Sequence, residues 1–125
     1  MKFYSRKLIK PDNLNSNNTL FGGALLRWID EEAFIYAATK LKSSNAVTKY
    51  MSEINFLNSA RQGDVIELGM ELSAVGRTSI TFKCLVRNLF TQKEIISIEK
   101  IVFVHLGSDE RPAPHNVTIE IVKNS

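Results

Sequence analysis

The sequence contains a single cysteine, Cys84, among 125 residues, and this scarcity excludes two kinds of stabilisation. One thiol cannot close an intramolecular disulfide, and it has no second thiol with which to bind zinc. Its position in the middle of a predicted strand favours a buried, unreactive side chain. We therefore expect a cytoplasmic protein in a reducing compartment, without disulfides and without a metal centre.

Long apolar runs are missing too. No segment reaches the ~18 consecutive apolar residues of a membrane span, and no apolar stretch of signal-peptide length follows the basic N-terminus. The net charge is only +3, and it is not gathered into a basic run of the kind that binds nucleic acid. We expect no membrane or nucleic-acid partner, and a mildly positive field that suits a small anionic ligand.

The apolar fraction, 44%, is enough for one hydrophobic core, and we expect a single domain over residues 1–125. The sequence predicts five strands, over residues 3–9, 47–56, 65–75, 79–90 and 94–106, and the middle three show a period of two. In the second strand this period places Val47, Tyr50, Ser52, Ile54 and Phe56 on one face and Lys49, Met51, Glu53 and Asn55 on the other. In the third it places Glu67 and Glu71 on the polar face and Ile66, Leu68, Met70, Leu72 and Ala74 on the apolar face. The last strand is apolar on both faces and is predicted to be central.

One long helix is predicted between the first two strands, from near Gly22 to residues 40–42. Its apolar residues recur at helical spacing, at Leu25, Leu26, Ile29, Ala33, Tyr36 and Ala37. Trp28 and Phe34 lie off this stripe, so the helix is apolar around much of its circumference. The order of elements predicts an α+β fold, in which a curved antiparallel sheet wraps around one long central helix.

Two features of this helix are candidates for a role in chemistry. Asp30 stands among apolar neighbours, where a carboxylate costs desolvation energy and where burial would raise its pKa toward the range of a general base. The alternative is that Asp30 reaches solvent or a salt bridge. Gly22 and Gly23 leave the unpaired N–H groups of the helix start open to close approach by a ligand. These glycines are equally explained by tight packing of the helix against the sheet.

A set of motifs recurs in order along residues 8–114. It comprises Pro11, Asn15, Phe21-Gly22-Gly23, Trp28-Ile29-Asp30-Glu31, Val47-Thr48, Gly63-Asp64, Val75-Gly76-Arg77-Thr78-Ser79 and Phe103-Val104. In this order and spacing the motifs resemble the acyl-CoA thioesterase (acyl-CoA hydrolase) family of the hot-dog fold, in its YciA-like branch. The strongest part of the resemblance is the combination of Phe-Gly-Gly and Gly-Arg-Thr-Ser with an aspartate seven residues beyond the second glycine.

The resemblance implies hydrolysis of acyl-CoA in a homodimer or a trimer of dimers, with active sites between protomers. Coenzyme A is then part of substrate and product, and no metal or organic cofactor is needed. Asp30 matches the family's catalytic acid, Asn15 the asparagine that partners it, and Gly23 the residue whose backbone N–H faces the thioester oxygen. Asn18 replaces a glycine of close relatives, and Asn tolerates the left-handed conformation that such a turn needs. Asn17 or Asn18 would take the role of Asn15 if the loop were shifted.

The resemblance also implies substrate-binding residues. They are Phe21 and Gly22 at the helix start and Gly76, Arg77, Thr78 and Ser79 along an edge that contacts pantetheine. Arg77 is a candidate for a CoA phosphate, with Lys83 and Arg87 as further candidates. His105 and His115 are expected to be structural or surface residues.

Helix geometry favours a composite site. Gly23 and Asp30 are seven residues apart, ~10 Å along a helix, which is too far for both to contact one thioester carbon. Gly23 and Asn15 of one subunit would therefore meet Asp30 of the other. The competing interpretations are a non-catalytic acyl-CoA-binding or sensing protein, and an acyl-CoA dehydratase, which would need a histidine near the helix start that this sequence lacks.

Overall fold

The computed structural model describes residues 1–118. The strands are β1 (Lys2–Leu8), β2 (Ala46–Phe56), β3 (Val65–Val75), β4 (Ser79–Asn88) and β5 (Glu94–His105). The long helix α1 (Gly22–Leu41) lies between β1 and β2, and a short 3-10 helix (Pro11–Asn13) precedes it. The predicted α+β order is confirmed, and the strand boundaries lie within two residues of their predictions.

The strands form one antiparallel sheet in the order β1-β3-β4-β5-β2. The expectation that β5 is central is confirmed, since it lies between β4 and β2, and β1 and β2 are the two edges. Every strand pair contains a register shift. Because bulges bend strands and increase their twist, these shifts curve the sheet around α1.

Helix α1 packs its apolar stripe into the concave side of the sheet. Its buried residues are Leu25, Ile29, Ala33, Tyr36, Ala37 and Leu41, whereas Leu26, Trp28 and Phe34 are partly buried against the same core. The helix ends where Lys42 adopts a left-handed conformation with φ 54°, as C-terminal caps commonly do. None of the helices in the described part of the chain is long and apolar enough to cross a membrane.

Strand β2 does not follow the predicted period of two. A register shift falls between Thr48 and Tyr50, and Glu53 has a positive φ of 54°. These two irregularities turn Thr48, Met51 and Ile54 toward α1, where they line a shared groove. The predicted faces of this strand were wrong, because a bulge resets side-chain alternation.

The outer face of β3 also differs from its prediction. Glu67 was expected on a polar surface, but it is only 5% exposed. Its Oε1 accepts a hydrogen bond from Nε of Arg87 at 2.7 Å, and the Arg87 guanidinium lies 3.7 Å from the centre of the Phe3 ring. Side chains of β1 and β4 thus cover this carboxylate and compensate its charge.

Candidate active site

Asp30 is held by a residue of the neighbouring edge strand. The hydroxyl of Thr48 on β2 donates a 2.7 Å hydrogen bond to Oδ1 of Asp30 on α1. The sequence suggested that apolar neighbours bury the carboxylate of Asp30. In the single chain Asp30 is exposed, so the fold of one chain does not bury it. Any burial of this carboxylate must therefore come from a second molecule or a ligand.

The Asp30–Thr48 pair lies at the middle of a groove between α1 and β2, which we call the α1–β2 groove. Its N-terminal half is a cavity of about 460 Å³ lined by Gly23, Leu26, Arg27, Met51 and Ile54 together with the central pair. Its C-terminal half is a cavity of about 440 Å³ lined by Glu31, Phe34, Ile35, Ala46, Val47 and Phe103 together with the same pair. Gly23 and Asp30 therefore share one half of the groove but stand at its two ends.

The start of α1 is uncapped. Phe21 occupies the N-cap position, and no side chain donates or accepts a capping hydrogen bond there. The first N–H groups of a helix have no intrahelical partner, so those of Gly22 and Gly23 are available to an anionic group at the positive end of the helix dipole.

Packing explains the two glycines differently. A Cβ atom at Gly22 would lie 3.5 Å from the Phe56 ring, an ordinary contact. A Cβ atom at Gly23 would lie 2.5 Å from the Phe21 ring, which folds over the helix start. Neither glycine is therefore required for packing of the helix against the sheet, and a side chain at position 23 would require the exposed Phe21 ring to move.

Asn15 is engaged within its own loop. Its Oδ1 accepts hydrogen bonds from the backbone N–H of Asn17 at 2.9 Å and of Thr19 at 3.2 Å, and its Nδ2 donates to Oγ1 of Thr19 at 3.0 Å. Asn18 adopts the expected left-handed conformation, with φ 61°. Asn15 and Gly22 line a common cavity of about 320 Å³, so the structure brings these two predicted residues together.

The segment from Gly76 to Ser79 forms a tight turn before β4. Its closing hydrogen bond runs from the N–H of Gly76 to the carbonyl of Ser79 at 3.0 Å. The following chain returns to this turn, since the N–H of His115 donates to the carbonyl of Arg77 at 3.2 Å and Nε2 of His115 lies 3.0 Å from the Ser79 carbonyl. His115 is thus structural, as expected, and Arg77 has an exposed side chain beside the turn.

The other candidates for a CoA phosphate are already engaged on the outer face of the sheet. Nζ of Lys83 lies 3.2 Å from Oε1 of Glu99, and Arg87 is bound to Glu67. Of these three residues, Arg77 is therefore the strongest candidate for contact with a CoA phosphate.

The helix start and the turn at Gly76 to Ser79 lie far apart in one chain. Gly22 packs beside Phe56, the last residue of β2. Ser79 pairs with Val104, which in turn pairs with Val47 near the start of β2. The intervening length of β2 is ~30 Å, so one chain does not bring these two sets of predicted residues together.

Thr48 is the residue that the sequence did not assign to the site. It belonged to one of the recurring motifs, but no pattern in the sequence connected it with Asp30, which lies 18 residues earlier in the chain.

Cys84 is buried as expected, and burial, reinforced by the negative charge of Glu32, raises the pKa of its thiol to about 12. Residues 1–118 contain no group of three or more His, Cys, Asp or Glu side chains arranged to hold a metal ion.

Comparison with known proteins places these features in a family context. The family model of the thioesterase superfamily matches residues 17–93. An uncharacterised acyl-CoA thioester hydrolase of Bacillus subtilis is 34% identical over 107 residues, which are 83% of this chain and 62% of that protein. The chain thus spans less than two thirds of the length of this relative.

Two solved structures share the architecture. A hexameric hot-dog fold thioesterase of Campylobacter jejuni is 25% identical, with a TM-score of 0.78 over 96% of this chain and 92% of that one. A hexameric, broad-specificity acyl-coenzyme A thioesterase has a TM-score of 0.85 at 21% identity, over 98% of this chain and 93% of that one. The hot-dog fold expected from the sequence is confirmed.

Proposed function

Because the chain belongs to the thioesterase superfamily, we propose that it hydrolyses the thioester of acyl-CoA, releasing free CoA and a carboxylic acid. The observation that carries this proposal is the carboxylate of Asp30, held by Thr48 at 2.7 Å in an open groove beside an uncapped helix start. The name of the Bacillus subtilis relative, an acyl-CoA thioester hydrolase, supports the same reaction.

In this proposal Asp30 is the catalytic carboxylate. It acts either as a general base that removes a proton from the attacking water, or as a nucleophile that attacks the thioester carbon itself. Thr48 donates to Oδ1 and so orients the carboxylate with Oδ2 directed to the reaction. In either route the C–S bond breaks and CoA leaves as a thiolate. As a general base, Asp30 passes the proton taken from water to that thiolate. As a nucleophile, Asp30 forms an acyl anhydride that water then hydrolyses, and a proton of this water goes to the thiolate.

The backbone N–H of Gly23 is the proposed donor to the thioester oxygen. The uncapped start of α1 supports this role, because fixed donors and the positive end of the helix dipole stabilise the negative charge that develops on the oxygen. One such donor is worth ~3 kcal/mol of the activation barrier. Phe21 and Gly22 are proposed to contact the substrate beside it.

We propose that the site is completed by a second copy of the chain. Gly23 and Asp30 are ~10 Å apart on one helix, whereas antiparallel helices of two copies would bring Gly23 of each close to Asp30 of the other. Strand β2 supports this arrangement because, among the described strands, it pairs with β5 alone. It also exposes large apolar side chains at Val47, Tyr50 and Phe56. A two-fold dimer of this kind has two equivalent sites.

One further group, Asn15, is proposed to come from the subunit that contributes Gly23. Asn15 shares a cavity with Gly22, and its amide has a second N–H with which to position the attacking water or the carbonyl. The turn from Gly76 through Arg77 and Thr78 to Ser79 is proposed to contact the pantetheine arm, with the exposed Arg77 meeting a phosphate. This turn lies ~30 Å from the helix start of its own chain, so in the proposed dimer it belongs to the subunit that contributes Asp30.

The test is a thiol-release assay with acyl-CoA substrates. We expect free CoA from the wild-type protein, and a loss of turnover of at least 100-fold in Asp30→Asn, which keeps the size of the side chain and removes the carboxylate. Near-normal turnover in Asp30→Asn would eliminate the proposed role of Asp30. Binding of acyl-CoA without thiol release from any substrate would instead favour a non-catalytic acyl-CoA-binding protein.

A further inference from the structure

The chain that follows β5, which we call the 106–118 segment, folds back on the turn from Gly76 to Ser79. It is first tied to the end of β5, where the N–H of Ala113 donates to the carbonyl of His105 at 2.9 Å. It then passes beside the turn, and a cavity of about 390 Å³ is lined by Gly76 and Arg77 together with residues 114–118. Residues distant in sequence thus form one wall of the turn.

His115 contacts this turn through its backbone and through its ring. Its N–H donates to the carbonyl of Arg77 at 3.2 Å. Nε2 of the ring lies 3.0 Å from the carbonyl of Ser79, and Nδ1 accepts the N–H of Val117 at 3.1 Å. Because a carbonyl can only accept, Nε2 carries the ring proton. Both ring nitrogens are therefore used, one to hold the turn and one to hold the 106–118 segment.

These bonds set the orientation of the peptide groups in the turn. A trans peptide is planar, and its N–H is directed opposite to its carbonyl. Because the Arg77 carbonyl is directed at the N–H of His115, the N–H of Thr78 is directed away from the 106–118 segment. The carbonyl of Thr78 accepts the N–H of His105 at 2.7 Å. The turn is thus held on both sides, and the side chain of Arg77 stays exposed.

The turn lies at the end of the sheet where Asp30 is held. Ser79 pairs with Val104, and Val104 pairs with Val47, so Ser79 is two strands, ~10 Å, from β2. Thr48, the residue after Val47, donates to Asp30. A CoA arm that starts at a thioester carbon beside Asp30 can therefore reach the turn across the end of the sheet.

We propose that His115 is a positioning residue for the CoA arm, an inference that rests on the proposed contact of the turn with pantetheine and phosphate. By binding the Ser79 carbonyl, its ring holds the 106–118 segment against the turn. This keeps the N–H of Thr78 and the side chain of Arg77 where the arm passes. Loss of the ring should therefore weaken binding of the arm and leave the chemical step unchanged.

The experiment compares two substrates that share one acyl group. Acyl-CoA has the whole arm, whereas the N-acetylcysteamine thioester keeps the reacting bond and lacks the phosphates and most of pantetheine. A hydrogen bond is worth up to ~10-fold in an equilibrium constant, so His115→Ala should raise KM for acyl-CoA by about 10-fold and keep kcat within about twofold. Turnover of the truncated thioester should not change. An equal loss with both substrates would overturn the proposal, because it would show a purely structural role.

Two further variants separate the bonds of the ring and keep the test decisive if His115→Ala does not fold. The amide of His115→Gln extends to the position of Nε2 and can donate to Ser79, whereas the shorter amide of His115→Asn replaces only Nδ1. We expect a KM near that of wild type for His115→Gln and a raised KM for His115→Asn. Equal KM values in the two variants would contradict the proposal. The control is Asp109→Ala, in an exposed part of the same segment, which should leave KM within about twofold.

Calorimetric binding of CoA itself distinguishes failure of this inference from failure of the proposed function. His115→Asn should bind CoA about 10-fold more weakly than wild type. Wild-type affinity in the folded variant would refute the positioning role and leave the proposed hydrolysis intact. If the wild-type protein binds CoA but releases no thiol from any acyl-CoA, the proposed hydrolysis fails, and weaker binding by His115→Asn still supports the positioning role.

Discussion

The hydroxyl of Thr48 lies 2.7 Å from Oδ1 of Asp30 and donates a hydrogen bond to it. This bond joins the middle of α1 to an edge strand and fixes the one carboxylate that lines both halves of the α1–β2 groove. Hydrogen bonds to a charged group are stronger than those between neutral groups. Thr48 is therefore expected to act as a positioning residue for Asp30.

Replacing Thr48 by valine removes the hydroxyl and keeps the branched shape of the side chain. A hydrogen bond to a charged group is worth ~1.5–3 kcal/mol, so we expect kcat to fall by about 10-fold to 100-fold with little change in KM. Thr48→Ser restores the hydroxyl and should recover most of the activity. Activity of Thr48→Val within about twofold of wild type would show that the bond has no role in positioning.

A methyl group at Gly23 should abolish activity, whereas one at Gly22 should not. In Gly23→Ala the new methyl group meets the Phe21 ring at 2.5 Å and stands beside the N–H that is the proposed donor to the thioester oxygen. Gly22→Ala makes only a 3.5 Å contact with Phe56, and alanine should raise helix stability by up to ~1 kcal/mol. Thermal unfolding and the thiol-release assay on both variants check this.

The double variant Phe21→Ala/Gly23→Ala separates two causes of such a loss. Because Phe21 is itself a proposed substrate contact, the reference is the single variant Phe21→Ala. If the methyl group blocks the thioester oxygen, the double variant is far less active than Phe21→Ala. Equal activity of the two would mean that Gly23 serves only to accommodate the Phe21 ring.

A charge on the open edge of β2 should disrupt the proposed dimer. Tyr50 is 46% exposed in the single chain, and Tyr50→Asp would bury a carboxylate at the proposed contact, at a cost of several kcal/mol per subunit. We expect dissociation to monomers in light scattering and a parallel loss of thiol release. Phe90→Asp, at the 79% exposed tip between β4 and β5, is the control and should keep both the dimer and the activity.

Alkaline pH should destabilise the fold through Cys84. Burial raises the pKa of its thiol from 9.0 to about 12, so the folded state holds this proton more tightly than the unfolded state. Its contribution to stability is complete below pH 9 and is lost as pH rises from there toward 12, at up to ~1.4 kcal/mol per pH unit. Urea unfolding between pH 8 and 10 should show a shallower decline in Cys84→Ala. An identical slope in both proteins would contradict the prediction.

Comparison of β3 and β2 shows where sequence reasoning succeeds. In β3 the alternation of Ile66, Leu68 and Met70 into the core was predicted and is observed. In β2 the same reasoning placed Met51 on the wrong face, because the shift between Thr48 and Tyr50 and the positive φ of Glu53 are not visible as a pattern. A period is readable only while the backbone stays regular.

The sequence by itself determined the order of the elements, the length of α1 and the burial of its apolar stripe. It also singled out Asp30 and Gly23 as candidate site residues. Both are possible because periodicity, a glycine and an isolated acidic residue are local signals. Only the tertiary structure decided that Thr48 holds Asp30, that Glu67 is buried beneath Arg87, and that Gly22 and Ser79 lie at opposite ends of β2. These relationships depend on strand order and bulges, which bring together residues that are distant along the chain.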